Sequence, residues 1–190
     1  MKRVKILVID NYDSFVYNLV HYLEAFDAEV HVVRNKQIPM DLVSKYDKIM
    51  LSPGPGIPDE AGMLKELIRE FYKTKPILGV CLGQQAIAEV FGGELENLNE
   101  VYHGVSSPIK ISVEDEVLYS GLPESIEVGR YHSWVVKNNL PQELEATSYD
   151  ENGNIMSLRH KVYDVRAVQY HPESVLTPDG KAIIKNWLSI

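Results

Sequence analysis

Cysteine is nearly absent from this sequence: Cys81 is the only one among 190 residues. A single thiol cannot form an intrachain disulfide, which excludes the small disulfide-stabilised secreted scaffolds and indicates a reducing compartment. Long apolar runs are missing too, because residues 4–9, the first such run, are too few for a signal peptide and far too few to cross a bilayer. We therefore expect a cytoplasmic protein that makes no contact with a membrane.

Positive charge is scarce as well. The chain carries 19 Lys and Arg residues against 27 Asp and Glu residues, for a formal net charge of −8, and it has no basic cluster that could bind nucleic acid. It also lacks the Gly-x-x-x-x-Gly-Lys loop that binds phosphate groups and any cluster of carboxylates spaced for a metal. We expect no nucleic acid partner, and no metal or other cofactor on this chain.

The rest of the composition is ordinary for a globular protein. Hydrophobic residues make up 45% of the chain and charged residues 24%, which excludes disordered and collagen-like classes. A chain of this length buries one good core but is too short for two ordinary domains. We predict one domain over residues 1–190.

Strand-like runs and helical patterns alternate through the first half. Residues 4–9, 29–34 and 48–52 read as strands, whereas residues 15–26 and 63–71 repeat apolar side chains at helical spacing. Strands that alternate with helices form parallel sheets with right-handed crossovers. The pattern predicts an α/β fold with an open, mostly parallel sheet flanked by helices, in which ligands bind at the carboxyl ends of the strands.

The pattern changes after residue 93. Helical periodicity is lost until residues 182–188, and the interval contains only short β-like runs. These runs are residues 94–98, 101–105, 109–113, 133–136, 144–149, 155–158 and 165–170. We predict that they add a mostly β layer to the sheet and that a C-terminal helix closes the fold.

The centre of the chain is a short apolar run, residues 77–80, that ends at Cys81 and is followed by a helical pattern. Gly79 and Gly83 flank the cysteine at the spacing of a nucleophile elbow, a tight turn without room for neighbouring side chains. A thiol at the start of a helix is favoured in its reactive thiolate form by the helix dipole. The alternative is a buried structural cysteine.

Two further segments supply groups that a cysteine nucleophile needs. His171 and Glu173 follow an apolar run ninety residues after Cys81, and residues 53–56 form a Pro-Gly-Pro-Gly loop after another strand. Each segment has an ordinary alternative: a strand-end histidine, a solvated carboxylate, or a pair of tight turns. Their joint occurrence favours a base and an orienting carboxylate that act with the thiol.

These three segments, in this order and at this spacing, resemble the class I (triad) glutamine amidotransferases, and the resemblance covers the whole chain. Residues 9–15 (Ile-Asp-Asn-Tyr-Asp-Ser-Phe) and 171–176 (His-Pro-Glu-Ser-Val-Leu) are similar to one branch in particular. That branch contains the glutaminase components of anthranilate synthase and of 4-amino-4-deoxychorismate synthase. The resemblance implies the fold of this family and the hydrolysis of L-glutamine.

The resemblance also implies a role for each residue. Cys81 attacks the glutamine amide, His171 transfers protons and Glu173 orients the imidazole. The backbone N–H groups of Gly56 and Leu82 stabilise the oxyanion. The residues expected to bind glutamine are Gly54, Pro55, Gly56, Gln85, Ser133 and Trp134.

Three positions depart from the residues that are common in this family. Gln84 stands where histidine is common, Trp134 where leucine is common and Val105 where lysine is usual. Trp134 bears on the shape of the glutamine pocket, and Val105 bears on the surface for a partner. His132, which lies next to the pocket residues, is expected to be structural rather than catalytic.

The chain contains nothing that could use ammonia, so the resemblance implies a heteromer with a larger chorismate-binding synthase subunit, on which magnesium is expected. Anthranilate synthase, in tryptophan biosynthesis, is the first expectation. The alternatives are aminodeoxychorismate synthase, in folate biosynthesis, or one subunit that serves both. A γ-glutamyl peptidase and a non-catalytic binding module are more distant alternatives, against which the opening segment and the complete triad argue.

Overall fold

Eleven β-strands and four α-helices make up the part of the chain that the computed structural model describes, residues 2–190. The strands are β1 (Lys5–Asp10), β2 (Glu29–Arg34), β3 (Lys48–Leu51), β4 (Ile77–Val80), β5 (Leu95–Asn97), β6 (Val105–Ile111), β7 (Ser125–Arg130), β8 (Trp134–Val136), β9 (Leu144–Asp150), β10 (Ile155–His160) and β11 (Val165–Val168). The helices are α1 (Val16–Ala25), α2 (Leu64–Phe71), α3 (Leu82–Val90) and α4 (Gly180–Leu188). Within residues 2–190, every helix is too short or too polar to span a membrane.

Nine strands form one sheet in the order β2-β1-β3-β4-β11-β10-β9-β6-β7. Neighbours from β2 to β11 are parallel, and neighbours from β11 to β7 are antiparallel. β5 and β8 form a separate antiparallel pair. The predicted α/β fold with additional strands is confirmed. Most of the additional strands extend the same sheet at its edge, because their backbones pair with β11 and with one another.

Helices cover both faces of the parallel half of the sheet. In β1, Ile6 and Val8 belong to the core on one face and Leu7 and Ile9 to the core on the other, and all four are fully buried. The apolar sides of α1 and α4 pack into the first core, and those of α2 and α3 into the second. Burying one such side chain contributes about 1.5–3 kcal/mol, which explains why the central strands are continuous apolar runs.

The strand predicted at residues 101–105 is wrong except for its last residue. Val105 begins β6, whereas the four residues before it have no strand structure. Gly104 has a φ of +68°, which interrupts an extended backbone. Tyr102 is buried because its ring stacks on the guanidinium of Arg130, 3.6 Å from ring centroid to Cζ, and a pattern of polarity alone does not distinguish this packing from a strand.

β7 is a strand that the sequence interpretation missed. Only Ile126 and Val128 alternate toward the core, and Gly129 weakens the strand pattern that they make. Pairing with β6 along the whole of β7 supplies the backbone hydrogen bonds that stabilise it. The glycine itself is needed for packing, because an added Cβ atom would lie 2.8 Å from Oγ of Ser174.

The carboxyl ends of the parallel strands meet at one edge of the sheet. β1 ends at Asp10, β3 at Leu51, β4 at Val80 and β11 at Val168. The segments that follow these strands therefore leave the sheet side by side. Residues that are far apart in the sequence, among them the single cysteine and the His-Pro-Glu segment, are brought to one place.

Candidate active site

Cys81 occupies the turn between β4 and α3. Its backbone has a φ of +53° and a ψ of −102°, a conformation that costs about 1–3 kcal/mol for a residue with a side chain. A Cβ atom on Gly79 would lie 2.6 Å from the backbone of Gly83, and a Cβ atom on Gly83 would lie 2.9 Å from Leu51. Both glycines are therefore required by close packing around the turn.

The same turn places the thiol at the start of α3. The carbonyl of Cys81 accepts hydrogen bonds from the backbone N–H groups of Gln84 and Gln85. Within residues 2–190, the N–H of Leu82 donates to no other group, so it is free to bind an anion. Together with the helix dipole, this free donor favours a thiolate and a negative charge on a substrate oxygen beside it. The geometry supports the predicted oxyanion role of Leu82.

His171 and Glu173 form a buried pair next to the elbow. A carboxylate only accepts, so Nδ1 of His171 donates to Oε1 of Glu173, at 2.6 Å. Burial by itself lowers the pKa of His171, but the Cys81 sulfur and the Glu173 carboxylate raise it well above its usual range. Nε2 has no hydrogen bond of good geometry in the described chain, so its attraction to the sulfur is electrostatic, as is common before substrate binds.

The His-Pro-Glu segment is held between β7 and α4. The N–H of His171 donates to the carbonyl of Gly129 at 3.0 Å, and the hydroxyl of Thr177 donates to the carbonyl of His171 at 2.7 Å. Gly180, the first residue of α4, packs so closely on the carbonyl of Pro172 that no Cβ atom would fit. These contacts fix the backbone that carries the imidazole before any substrate binds, and the bond to Glu173 orients the ring.

A cavity of about 260 Å³ opens at the elbow. Its lining residues are Gly54, Pro55, Gly56, Cys81, Gln85, Tyr131, His132, Ser133 and Trp134. The lining contains the thiol and all six residues predicted to bind glutamine, whereas Leu82, His171 and Glu173 are not part of it. Residues 2–190 contain no group of three or more His, Cys, Asp or Glu side chains that could hold a metal ion. The cavity volume of about 260 Å³ suits a substrate of amino-acid size.

The Pro-Gly loop packs directly on the loop after β1. An added Cβ atom on Gly54 would lie 2.5 Å from the carbonyl oxygen of Asn11. The N–H of Asn11 donates to Oγ of Ser52 at 2.9 Å, and its side-chain amide donates to the carbonyl of Ser52 at 2.7 Å. Gly56, at the cavity wall, has a φ of +72°, a conformation that glycine adopts without strain. The two loops therefore form one hydrogen-bonded unit.

A second cavity, of about 120 Å³, reaches the His–Glu pair. Its lining residues are Phe15, Asn18, Tyr131, His171, Glu173, Ser174 and Val175. Tyr131 lines both cavities: its ring centroid lies 4.9 Å from that of His171, and its hydroxyl is 3.1 Å from Oγ of Ser174. This ring is thus part of the wall between the candidate glutamine site and a second opening.

His132 is a buried, neutral histidine. Its Nε2 accepts from Nε of Arg130 at 3.2 Å, so the proton lies on Nδ1, which donates to the carbonyl of Trp134 at 3.1 Å. Burial, and then the positive charge of Arg130, lower the pKa of His132 to about 3. Arg130 is itself paired with buried Asp150 at 2.9 Å. His132 therefore orients the Trp134 carbonyl, which supports the expected structural role.

The three departures from common family residues lie in different environments. Gln84 is fully buried, lines neither cavity described above, and finds no hydrogen-bond partner for its amide anywhere in residues 2–190. Val105 is exposed at the start of β6. Trp134 lines the first cavity, so it is the departure that changes the candidate glutamine site.

Two residues of the site are missing from the sequence interpretation. Tyr131 lines both cavities, and no spacing rule distinguishes it from other aromatic residues. Gln169 is fully buried and its Nε2 donates to Sγ of Cys81 at 3.4 Å. It stands two residues before His171 and directly after β11, the strand that pairs with β4 next to Cys81. That spacing is a signal that could have identified Gln169.

An α/β protein that places a thiol at a strand-to-helix turn beside a His–Glu pair has the arrangement of a triad enzyme with a cysteine nucleophile. The family model for glutamine amidotransferase class-I matches residues 7–190. The chain therefore belongs to the class I glutamine amidotransferases.

Named relatives cover nearly the whole chain. It is 44% identical to anthranilate synthase component 2 of Pseudomonas aeruginosa, across 96% of this chain and 94% of that protein. It is 42% identical to aminodeoxychorismate/anthranilate synthase component 2 of Bacillus subtilis, across 96% and 95%. It is 45% identical to bifunctional protein TrpGD of Thermotoga maritima across its own full length, but it spans only 32% of that protein.

Solved structures share the fold. A candidate GMP synthase subunit from Thermoplasma acidophilum superimposes with a TM-score of 0.89 at 26% identity, and the match covers 100% of this chain and 94% of that chain. The arrangement of sheet and helices is therefore that of the family, including the antiparallel strands that extend the sheet on the side of β11 away from β4.

Replacing Trp134 by leucine tests the shape of the pocket. We expect Trp134→Leu to change KM for glutamine by about two- to tenfold and to leave kcat nearly unchanged, because a wall residue contacts ground state and transition state alike. Steady-state glutaminase kinetics measure both constants. Val105→Lys, at the exposed departure, is the control and should not alter KM. A change in kcat alone would place Trp134 beside the reacting atoms.

Proposed function

We propose that this chain is the glutaminase subunit of anthranilate synthase, which hydrolyses L-glutamine and delivers ammonia to a larger chorismate-using subunit. The observation that carries the proposal is the 44% identity to an anthranilate synthase component 2 across 96% of the chain, in a protein whose Cys81, His171 and Glu173 lie together. Free Cys81 needs a reducing environment, and we accordingly propose the cytoplasm as its location.

The chemistry follows from the positions of the side chains. The thiolate of Cys81 attacks the carboxamide carbon, and the resulting oxyanion is bound by the N–H groups of Leu82 and Gly56. His171 gives its proton to the amide nitrogen and the C–N bond breaks. Ammonia departs, and a thioester remains on Cys81. His171 then takes a proton from water, which attacks the thioester, and glutamate is released as the thiolate is restored. Glutamine and water thus become glutamate and ammonia.

Exposed apolar side chains support the proposal of a partner subunit. Phe15 and Val175, which are 45% and 93% exposed, border the second cavity that reaches His171 and Glu173. Apolar groups beside an opening are typical of protein interfaces. We propose that the synthase subunit covers this opening and receives ammonia there without loss to solvent, and that magnesium binds to that subunit.

A second candidate function is the same role in aminodeoxychorismate synthase, or in both enzymes. The name of the Bacillus subtilis relative, at 42% identity, includes both activities. Glutamine hydrolysis is common to the two, so the partner subunit decides the product. A γ-glutamyl peptidase and a non-catalytic binding module receive no support from the relatives.

Reconstitution tests the proposal. The purified chain is mixed with the large subunit of anthranilate synthase or of aminodeoxychorismate synthase from the same cell, together with chorismate, magnesium and glutamine, and the product is identified by mass. We expect anthranilate with the first partner. Added ammonium in place of glutamine controls for an active partner. Aminodeoxychorismate alone would favour the second candidate, and glutaminase activity that no partner can use would reject both.

The loop after β1 provides a physical route from the partner to the oxyanion site. Tyr12 is exposed and has a φ of +63°, an uncommon conformation for a residue with a side chain. Its neighbour Asn11 is hydrogen-bonded to Ser52 and packs on Gly54 in the Pro-Gly loop. A partner that docks on Tyr12 would therefore move the Pro-Gly loop and with it the N–H of Gly56. We propose that partner binding completes the oxyanion site.

We expect the partner with chorismate to raise kcat for glutamine hydrolysis by at least about tenfold, or roughly 1.4 kcal/mol of transition-state stabilisation. Tyr12→Ala should weaken this activation and leave the basal rate of the isolated chain unchanged, because Tyr12 does not line the glutamine cavity. Glutamate release, measured with and without the partner, gives both rates.

Val162→Ala is the matched control for this prediction. Val162 is 79% exposed and lies in the connection before β11, at the edge of the sheet opposite to Cys81. It should leave the activation unchanged. Equal rates with and without the partner would contradict the coupling, and full activation of Tyr12→Ala would show that the partner docks elsewhere.

A further inference from the structure

We infer that Gln169 is a positioning residue, which holds the sulfur of Cys81 and the amide of Gln85 in one hydrogen-bonded chain. Its side chain is fully buried. Nε2 lies 3.4 Å from Sγ of Cys81, and Oε1 lies 3.2 Å from Nε2 of Gln85. The inference rests on the proposed function in one respect, that Cys81 is the nucleophile.

The sheet places Gln169 and Cys81 side by side. β11 runs parallel to β4 with Val168 opposite Val80, so the next residue of each strand is Gln169 and Cys81. The N–H of Cys81 donates to the carbonyl of Val168 at 2.8 Å. The N–H of Gln169 donates to the carbonyl of Met156, also at 2.8 Å. The backbone on both sides of the contact is therefore fixed.

The hydrogen bonds determine which end of the Gln169 amide meets the sulfur. The carbonyl oxygen of Trp134 only accepts, so the Gln85 atom 3.0 Å from it must be the nitrogen. That nitrogen has a second N–H, which is donated to Gln169, so the Gln169 atom that receives it must be the oxygen. The nitrogen of Gln169 is left to face Cys81. Its N–H donates to the sulfur and favours the charged thiolate over the thiol.

The same chain of bonds orients a residue of the glutamine cavity. Gln85 lines the cavity, and its nitrogen is fully used by Trp134 and Gln169, so its oxygen remains as an acceptor for the substrate. Gln169 therefore has two roles: its N–H donates to the nucleophile, and its carbonyl oxygen fixes the direction of the Gln85 amide. A buried glutamine that merely filled space would require neither bond.

Alkylation of the thiol tests this role directly. Because Cys81 is the only cysteine, the rate of iodoacetamide incorporation into the purified full chain, followed by intact mass, reports on this one sulfur. In Gln169→Met, which keeps the bulk and removes the donor, we expect alkylation about tenfold slower at about pH 6. The alkylation rate is measured between about pH 5 and 9. Its midpoint, the pH of half-maximal rate, should rise by about one unit, which corresponds to the same tenfold factor. KM for glutamine should rise as well, because Gln85 loses its partner.

Gln84→Met is the matched control, since Gln84 is equally buried but has no hydrogen bond to the site. Its alkylation profile should match that of the unaltered chain. His171, the titratable group coupled to the sulfur, and Glu173 and Asp13, which are coupled to His171, are unchanged in both variants. An unchanged profile in Gln169→Met, with melting temperature showing a folded chain, would overturn the inference.

If Gln169→Met does not fold, the nearly isosteric Gln169→Glu replaces it. A carboxylate in this place repels the thiolate, so we expect the midpoint of alkylation to rise further than in Gln169→Met, and an unmoved midpoint would overturn the inference. Alkylation needs neither glutamine nor a partner. Failure of the proposed function would appear as absent glutaminase activity with a shifted alkylation profile, so the two failures are distinguishable.

Discussion

Cys81→Ser is expected to abolish glutamine-dependent synthesis by the complex, with a loss of at least about 10⁴-fold, while synthesis from added ammonia continues. A serine hydroxyl at this turn is a far weaker nucleophile than a thiolate held by a helix N-terminus and an imidazolium. The elbow itself should survive the exchange, because the two side chains differ only in the Oγ or Sγ atom. Product formation from glutamine and from ammonium, measured on the same complex, gives the ratio.

A glutamine-like electrophile provides an independent measurement of the same residue. A diazo-ketone analogue should add one label per chain, at Cys81, and Cys81→Ser should not be labelled. Loss of both the glutamine-dependent and the ammonia-dependent activity would show that the cysteine is structural. Label that persists on another residue of Cys81→Ser would place the nucleophile elsewhere.

His171→Ala should reduce glutamine hydrolysis by about 10³- to 10⁴-fold, and Glu173→Gln by much less, about 10- to 10²-fold. Without His171 neither the thiolate nor the departing ammonia has a proton partner. Glu173→Gln keeps a hydrogen-bond acceptor near Nδ1 but removes a charge that raises the pKa of His171. The pKa of His171 should therefore fall, and the imidazolium should be lost at lower pH than in the unaltered chain.

The pH dependence of kcat/KM, measured on the unaltered chain, on both of these variants and on a control, tests this division of roles. His160→Gln is the matched control, because His160 is another buried histidine that packs among Tyr72, Phe91 and Tyr163 and lines neither cavity described above. It should change stability and leave the rate unchanged. Equal losses in His171→Ala and Glu173→Gln would mean that Glu173 does more than orient the imidazole.

Features that depend on short stretches of chain could be predicted from the sequence. The apolar runs around residues 4–9 and 77–80 predict central strands because a strand buried on both faces needs apolar side chains at every position. Gly79 and Gly83 predict the turn at Cys81 because only glycine fits there, and the structure shows the backbone contacts that impose it. His171 and Glu173 could be predicted as a base and an orienting carboxylate because they follow another apolar run, and the resemblance to a family then implied the same roles.

Local patterns were insufficient where packing between distant segments decides the structure. β7 has a weak pattern and is stabilised by pairing with β6, and residues 101–104 have a strand-like pattern but are held by the stack of Tyr102 on Arg130. Both errors have the same cause. The pattern of polar and apolar residues along a segment indicates which of its side chains are buried. It does not indicate which other segment buries them.

The sequence by itself determined the alternation of strands and helices, the strained turn at Cys81 and the residue types of a nucleophile, a base and an orienting carboxylate. Only the tertiary structure decided that β11 lies next to β4 in parallel register, which brings segments ninety residues apart to one edge. That register places Gln169 against the sulfur and, through Gln85, connects it to the carbonyl of Trp134. The physical reason is that hydrogen-bond direction is a property of atoms in space, and side chains that are distant in sequence acquire it only when the sheet has formed.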